Sequence, residues 1–169
     1  MATSYAHGVC DSMYLHLAQF LYREAALLDA REWDGWGKLF DVEGVYWVPA
    51  ARDQVNAIDH VSLVYDGALL RDIRIARLKS GDATSFQAKP NSSHLVSNIV
   101  IAAADEHAGH YTLSSRFVVA QFASWGARTF HGAYTHELVR DAAGELKISL
   151  KRVDLVDVEG PQGDILTIL

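Results

Sequence analysis

The stretch ELKISLKRVDLVD, residues 145–157, decides the fold class because its apolar residues alternate with polar ones. Up to residue 150 the apolar side chains fall on even positions, at Leu146, Ile148 and Leu150. After Arg152 they fall on odd positions, at Val153 and Leu155. One extra residue in a strand changes the phase in this way, so we predict a β-bulge at Lys151–Arg152 and a bend in the sheet.

The same period of two extends upstream from this stretch and predicts a long sheet. The four predicted strands span residues 93–104, 110–123, 128–140 and 145–157. The connections between them lie at His107–Gly109, Ser124–Gly126 and Asp141–Gly144. Because connections this short can join only antiparallel neighbours, we expect consecutive strands to pair antiparallel.

The N-terminal half changes to the three- and four-residue spacing of helices. A first helix is predicted from Asp11 or Ser12, either of which could cap it, to about Ala30. A short second helix is predicted around residues 32–40, and a third over residues 66–79, ended by Gly81. The helices therefore precede most of the sheet in the chain.

Other segments of the N-terminal half have weaker signals. Residues 45–48 read as a strand that Pro49 closes, with Gly44 in the turn before it. Residues 50–64 carry no assignable pattern, and residues 82–92 contain the Gly, Ser, Asn and Pro typical of a loop. The aromatic residues of this region are predicted to lie in the core, namely Trp33, Trp36, Tyr46 and Trp47.

Helices followed by an antiparallel sheet are typical of the α+β class, with the helices packed on one face of the sheet. We expect a mostly antiparallel, strongly curved, cone-shaped sheet that holds the N-terminal helices in its concave face. A length of 169 residues favours a single domain over residues 1–169, with residues 1–10 as a loose arm.

Composition excludes several functions. A net charge of −6 with no cluster of basic residues argues against nucleic-acid binding. No stretch has the roughly 20 apolar residues of a membrane helix, and no signal peptide is recognisable. The single cysteine, Cys10, fits a reducing cytoplasm. It also excludes a Rieske cluster in this chain, since that cluster requires two cysteines and two histidines.

Four blocks of sequence resemble the small (β) subunits of Rieske-type aromatic-ring-hydroxylating dioxygenases. They are EAALLDAREWDGWGKLFDVEGVYWVP at 24–49, YDGALLRDIRIARLKSGDATSF at 65–86, HLVSNIVI at 94–101 and LKISLKRVDLV at 146–156. The positions that carry the resemblance are Glu24, Leu28, Asp29, Arg31, Trp36, Leu39, Tyr46, Pro49, Asp66, Leu70, Arg74, Arg77, Leu78, Gly81, His94, Ser97 and Asn98. Thr84–Phe86 and Asn91–Ser93 depart from the family, which often has a tryptophan and an arginine there.

The resemblance implies the cone-like fold of nuclear transport factor 2 and ketosteroid isomerase. It further implies a bacterial hetero-hexamer in which a homotrimer of small subunits joins three large (α) subunits. The large subunit would carry the Rieske 2Fe-2S cluster and the mononuclear iron, and the small subunit would stabilise the assembly. This interpretation gives the chain no catalytic, cofactor-binding or metal-binding residue of its own.

The candidate functional residues are therefore those of a subunit interface. Arg74 and Arg77 lie one turn apart on the third predicted helix and suit ion pairs with carboxylates of a partner, although a solvated helix face would look the same. The complete set of interface candidates is Arg74, Arg77, His94, Lys151 and Arg152.

Two other functions are compatible with the fold. A free-standing isomerase or dehydratase would use an acid or base inside the cone, with Tyr14, Asp29, His60, His94 and Asp154 as candidates. A binding module would use the cone as a pocket. A metal site is not expected, because His131 and His136 are five residues apart on a predicted strand and so point to opposite faces.

Overall fold

The structure is a computed structural model that describes residues 10–80, 91–123, 126–160 and 165–169. Its elements are, in chain order, α1 Asp11–Asp29, α2 Trp33–Gly37, β1 Phe40–Pro49, β2 Ser62–Asp66, α3 Ala68–Ser80, β3 Asn91–Asp105, β4 His110–Ala123, β5 Gly126–Arg140 and β6 Leu146–Leu155. Residues 1–9 of the predicted arm, most of the loop at 82–92 and most of the turn at 124–126 lie outside the described residues.

The six strands form one sheet in the order β2-β1-β6-β5-β4-β3. All neighbours pair antiparallel except β1 and β6, which run parallel. The sheet is open, with β2 and β3 as its edges. This arrangement confirms the α+β class, and β4 has the predicted bounds.

Helix α1 packs against one face of this sheet through an apolar stripe. The buried positions of the stripe include Leu17, Leu21 and Leu28, which repeat at helical spacing, as the sequence predicts. The residue before the helix, Cys10, occupies the cap position and makes no capping side-chain hydrogen bond. The prediction of Asp11 or Ser12 as the cap was wrong, because the helix begins at Asp11 itself.

The segment between α1 and β2 differs from its prediction. Helix α2 has only five residues, and β1 begins at Phe40, so Gly44 lies inside a strand and not in a turn before one. A Cβ at Gly44 would lie 2.3 Å from the carbonyl oxygen of Ile148 in β6. Glycine is therefore required here by the close approach of two parallel strands.

Strand β2 has no counterpart among the sequence predictions. It is an edge strand whose Leu63 and Tyr65 side chains are exposed, so no buried apolar alternation marks it. The loop before it is held by Gln54, whose side-chain amide donates to the carbonyl oxygens of Asn56 and His60 at 3.2 Å. Hydrogen bonds of this kind leave no periodic apolar pattern in the sequence, so the segment could not be assigned from its sequence.

The β-bulge in β6 exists, but it lies two residues earlier than predicted. Ile148 pairs with Leu138 and Leu150 pairs with Glu137, so Ser149 is the extra residue. The phase of burial therefore changes before Lys151, whose side chain enters the core instead of pointing to solvent. The alternation of residues 146–151 predicts Lys151 on the face opposite Leu146, Ile148 and Leu150, and this prediction was wrong because the bulge changes the phase first.

None of the described helices combines the length and the apolar character that crossing a bilayer requires.

Candidate functional site

Three ionisable side chains meet inside the core. Glu24 of α1, His136 of β5 and Lys151 of β6 are 3%, 1% and 1% exposed. Oε1 of Glu24 accepts hydrogen bonds from Lys151 Nζ at 2.8 Å and from Trp36 Nε1 at 3.0 Å. Oε2 of Glu24 lies 2.9 Å from His136 Nε2. We call Glu24, His136 and Lys151 the core ionic cluster.

Local structure explains why these three residues converge. Glu24 follows Leu17 and Leu21 and precedes Leu28 in the buried stripe of α1, so the helix directs its carboxylate toward the sheet. His136 and Lys151 are directly opposite each other in the β5–β6 ladder. The bulge at Ser149 turns Lys151 to the same face as His136, and the core ionic cluster depends on it.

The charges of the cluster are mutually dependent. Burial by itself would raise the pKa of Glu24, but Lys151 and His136 outweigh it and hold that pKa well below its ordinary value. Burial lowers the pKa of Lys151, and the carboxylate of Glu24 opposes that shift. The pair is therefore an ionised carboxylate and an ammonium, each stabilised by the other in a medium that penalises both.

Two tyrosines lie beside the cluster. Nζ of Lys151 is 4.8 Å from the ring centre of Tyr134 and 5.9 Å from that of Tyr46. Burial raises the pKa of both phenols, which remain neutral and offer ring faces to the ammonium group. The carboxylate of Glu24 accepts from three donors, so it is a weak base and its chemistry is that of a buried structural ion pair.

A second polar group connects α1, β3 and the C-terminal segment. The carboxylate of Asp29 accepts from the backbone N–H of His94 at 3.0 Å and lies 2.6 Å from its Nδ1. On the other side of the ring, Nε2 lies 2.9 Å from the carbonyl oxygen of Ile168. The ring of His94 therefore connects the side chain of Asp29 in α1 to the backbone of the C-terminal segment.

The interface candidates fall into three groups. The side chains of His94 and Lys151 are buried within the chain and bonded there, so a partner could not reach them. Arg152 is largely engaged, with a bidentate hydrogen bond to Asp154 and its guanidinium 4.4 Å from the ring centre of Trp47. Arg74 and Arg77 of α3 remain accessible, and Arg74 pairs with Asp66.

The structure brings together only two of the five acid–base candidates, Asp29 and His94. Tyr14 lies half exposed near the carbonyl oxygen of Ile99, His60 is exposed, and Asp154 is bonded to Arg152.

The sequence analysis did not predict that Glu24 and His136 form a buried pair. The signal for Glu24 was its position within the apolar stripe of α1, where a carboxylate needs a buried partner. His131 is exposed and His136 buried, so the prediction of opposite faces is confirmed.

A cleft of about 420 Å³ lies between α3 and the C-terminal segment, residues 165–169. Arg74, Arg77 and Asp66 line it together with the apolar side chains Leu70, Ile73, Leu78, Ile165, Leu166 and Ile168. None of the core ionic cluster residues lines this cleft.

Within residues 10–80, 91–123, 126–160 and 165–169, no three His, Cys, Asp or Glu side chains are grouped to hold one metal ion.

Comparison with known proteins identifies the chain over most of its length. The family model of the ring hydroxylating beta subunit matches residues 23–158. The 2-halobenzoate 1,2-dioxygenase small subunit of Burkholderia cepacia is 38% identical over 97 residues, which cover 54% of this chain and 58% of the relative. The small oxygenase component of the p-cumate 2,3-dioxygenase system of Pseudomonas putida is 34% identical over 88% of this chain and 83% of the relative.

Solved structures agree with this fold. The beta subunit of benzoate 1,2-dioxygenase from Burkholderia mallei superposes with a TM-score of 0.73 at 22% identity, covering 96% of this chain and 100% of that chain. A chain of naphthalene 1,2-dioxygenase superposes with a TM-score of 0.82 at 14% identity, covering 98% of this chain and 90% of that chain. From the family match over residues 23–158, this chain belongs to the ring hydroxylating beta subunit family.

Proposed function

We propose that the chain is the structural small subunit of an aromatic-ring-hydroxylating dioxygenase, an oxidoreductase of aromatic compound degradation. The observation that carries the proposal is the family match from residue 23 to residue 158, which extends from α1 past the end of β6. The chain spans 58% of the first relative and 83% of the p-cumate relative, both small components of dioxygenases.

The chemistry of the chain supports a non-catalytic role. One cysteine cannot supply the two thiolates of a Rieske cluster, so the 2Fe-2S centre and the mononuclear iron would belong to a large subunit. A free-standing isomerase or dehydratase would need a base open to its substrate. The carboxylate of Glu24 is instead sealed in the core and bonded to Lys151, His136 and Trp36.

The proposed role is to fix the distance between large subunits. Electrons in such an oxygenase pass from the Rieske cluster of one large subunit to the iron of its neighbour, so spacing between protomers limits the rate. Three small subunits bound to three large subunits in the bacterial cytoplasm would maintain that spacing. A bent sheet stiffened by a core ionic cluster is a suitable rigid support.

The test is to purify the chain by itself and together with a large oxygenase subunit from the same genome, and to measure native mass and absorption spectrum in both samples. We expect a colourless homotrimer in the first sample and, in the second, a three-plus-three complex with the visible absorption of a Rieske cluster. A chain that forms no complex with that large subunit would overturn the proposal, as would isomerase or dehydratase turnover by the chain alone.

A further inference from the structure

The cleft between α3 and the C-terminal segment has mostly apolar walls. Leu70 and Ile73 of α3 line it and are 52% and 41% exposed. Ile165 and Ile168 form the opposite wall. Large apolar side chains grouped at the surface and bordered by charges are typical of a site that another molecule covers.

The cleft also has an excess of positive charge. Arg74 and Arg77 both line it, one helical turn apart, and Asp66 is the one acidic residue among those of its lining residues that the structure describes. Nε of Arg74 lies 2.5 Å from Oδ2 of Asp66. The guanidinium of Arg77 makes no hydrogen bond or ion pair with any residue that the structure describes. In a chain with a net charge of −6, this local cation selects for a carboxylate.

The wall formed by the C-terminal segment is fixed in place by buried side chains from three strands. His94 of β3 bonds the carbonyl oxygen of Ile168 at 2.9 Å, and Gln121 of β4 accepts from the backbone N–H of Leu166 at 2.9 Å. The hydroxyl of Tyr46 in β1 accepts from the backbone N–H of Leu169 at 3.1 Å. The cleft is thus largely preorganised, which lowers the entropic cost of binding.

We infer that this cleft receives a segment of the large oxygenase subunit that carries a carboxylate next to an apolar side chain. The inference rests on the proposed function. The carboxylate pairs with Arg77, and the apolar side chain packs between Ile73 and Ile165. A protein segment fits better than a small acid because exposed apolar side chains continue beyond the cleft, at Leu69 of α3 and at Leu63 and Tyr65 of β2.

The test uses the complete complex of small and large subunits and two charge reversals on the same helix. Arg77→Glu places a repelling charge in the cleft, whereas Lys79→Glu makes the same change outside it, where Lys79 forms an exposed pair with Asp34. We expect Arg77→Glu to raise the dissociation constant of the complex about tenfold or more and Lys79→Glu to leave it nearly unchanged. The apolar half is tested by Leu70→Asp, with the same expectation as Arg77→Glu.

The outcomes separate this inference from the proposed function. If the unmodified chain binds no large subunit, the proposed function fails. If it binds, and Arg77→Glu and Leu70→Asp dissociate no more readily than Lys79→Glu, the cleft is not the docking site. The melting temperature of each isolated variant is compared with that of the unmodified chain, to check that the variant is folded. Arg77-dependent binding of free p-toluate, with no change in assembly, would assign the cleft to a small acid and overturn the inference.

Discussion

Nζ of Lys151 lies 2.8 Å from a carboxylate oxygen of Glu24, and both side chains are at least 96% buried. The two residues are far apart in sequence, and their contact joins α1 to β6 across the core. Two buried charges are costly unless each neutralises the other. The contact therefore makes the packing of α1 on the sheet dependent on one ion pair, from which two predictions follow.

Lys151→Met should destabilise the chain by about 3–5 kcal/mol, because it leaves the carboxylate of Glu24 buried without its ammonium partner, beside only the imidazole of His136 and the indole of Trp36. The measurement is the free energy of unfolding in urea. The double substitution Lys151→Met, Glu24→Gln removes both charges and should recover a large part of the loss. An unfolding free energy that falls further in the double variant would contradict this account of the core ionic cluster.

The same cluster predicts a loss of stability in acid. The pKa of Glu24 is lower in the folded chain than in the unfolded chain, where it is about 4.3. Its contribution to stability is therefore complete above that value and declines as the pH falls through it toward the folded pKa. We expect the difference in unfolding free energy between the native chain and Glu24→Gln to narrow below about pH 4. A difference that stays constant from neutral to acid pH would show that Glu24 is not the group involved.

Local patterns in the sequence were sufficient to predict the helices and strands whose apolar residues repeat at regular spacing. Strand β4 and helix α1 match their predictions closely because every second or every third to fourth residue is buried. Strand β2 was missed because its apolar side chains Leu63 and Tyr65 face outward at an edge. The loop before it is held by the polar hydrogen bonds of Gln54, which no apolar periodicity records.

The candidate site was less predictable than the fold because its contacts are not local. The alternation up to Leu150 predicts Lys151 on the face opposite the apolar residues, because the bulge at Ser149 is not visible in the sequence pattern. Its partner Glu24 lies on α1, and no pattern within β6 indicates that a buried carboxylate lies next to Lys151. His94 was identified as a residue of interest, but its actual contacts, Asp29 and Ile168, lie on two segments that only the folded chain brings together.

The ring of His94 should control how firmly the C-terminal segment is held. His94→Ala removes the donor to Ile168 and leaves that buried carbonyl oxygen with only the long hydrogen bond from the Thr167 hydroxyl at 3.4 Å, which should destabilise the chain by about 1–3 kcal/mol. Hydrogen exchange of the backbone amides of Leu166 and Leu169 should also accelerate. These amides are bonded to Gln121 and Tyr46, and a more loosely held C-terminal segment would break those hydrogen bonds more often. The matched control is His131→Ala on the exposed face of β5, which should change neither quantity. Unchanged exchange at both amides in His94→Ala would show that the segment is held without this histidine.

Gly132 tests how closely β5 and β6 approach at the end of their ladder where Gly132 pairs with Leu155. A Cβ at this position would lie 2.2 Å from the carbonyl oxygen of Asp154 and 2.7 Å from Cε1 of Phe117, so backbone and ring would both have to move. We expect Gly132→Ala to lower the free energy of unfolding by about 1–3 kcal/mol. Gly67→Ala is the control, since nothing lies within 4 Å of the Cβ it would add, and its effect should be within about 0.5 kcal/mol. Equal unfolding free energies for the two variants would mean that β5 and β6 can move apart at no cost in free energy. That result would contradict the close pairing of Gly132 with Leu155.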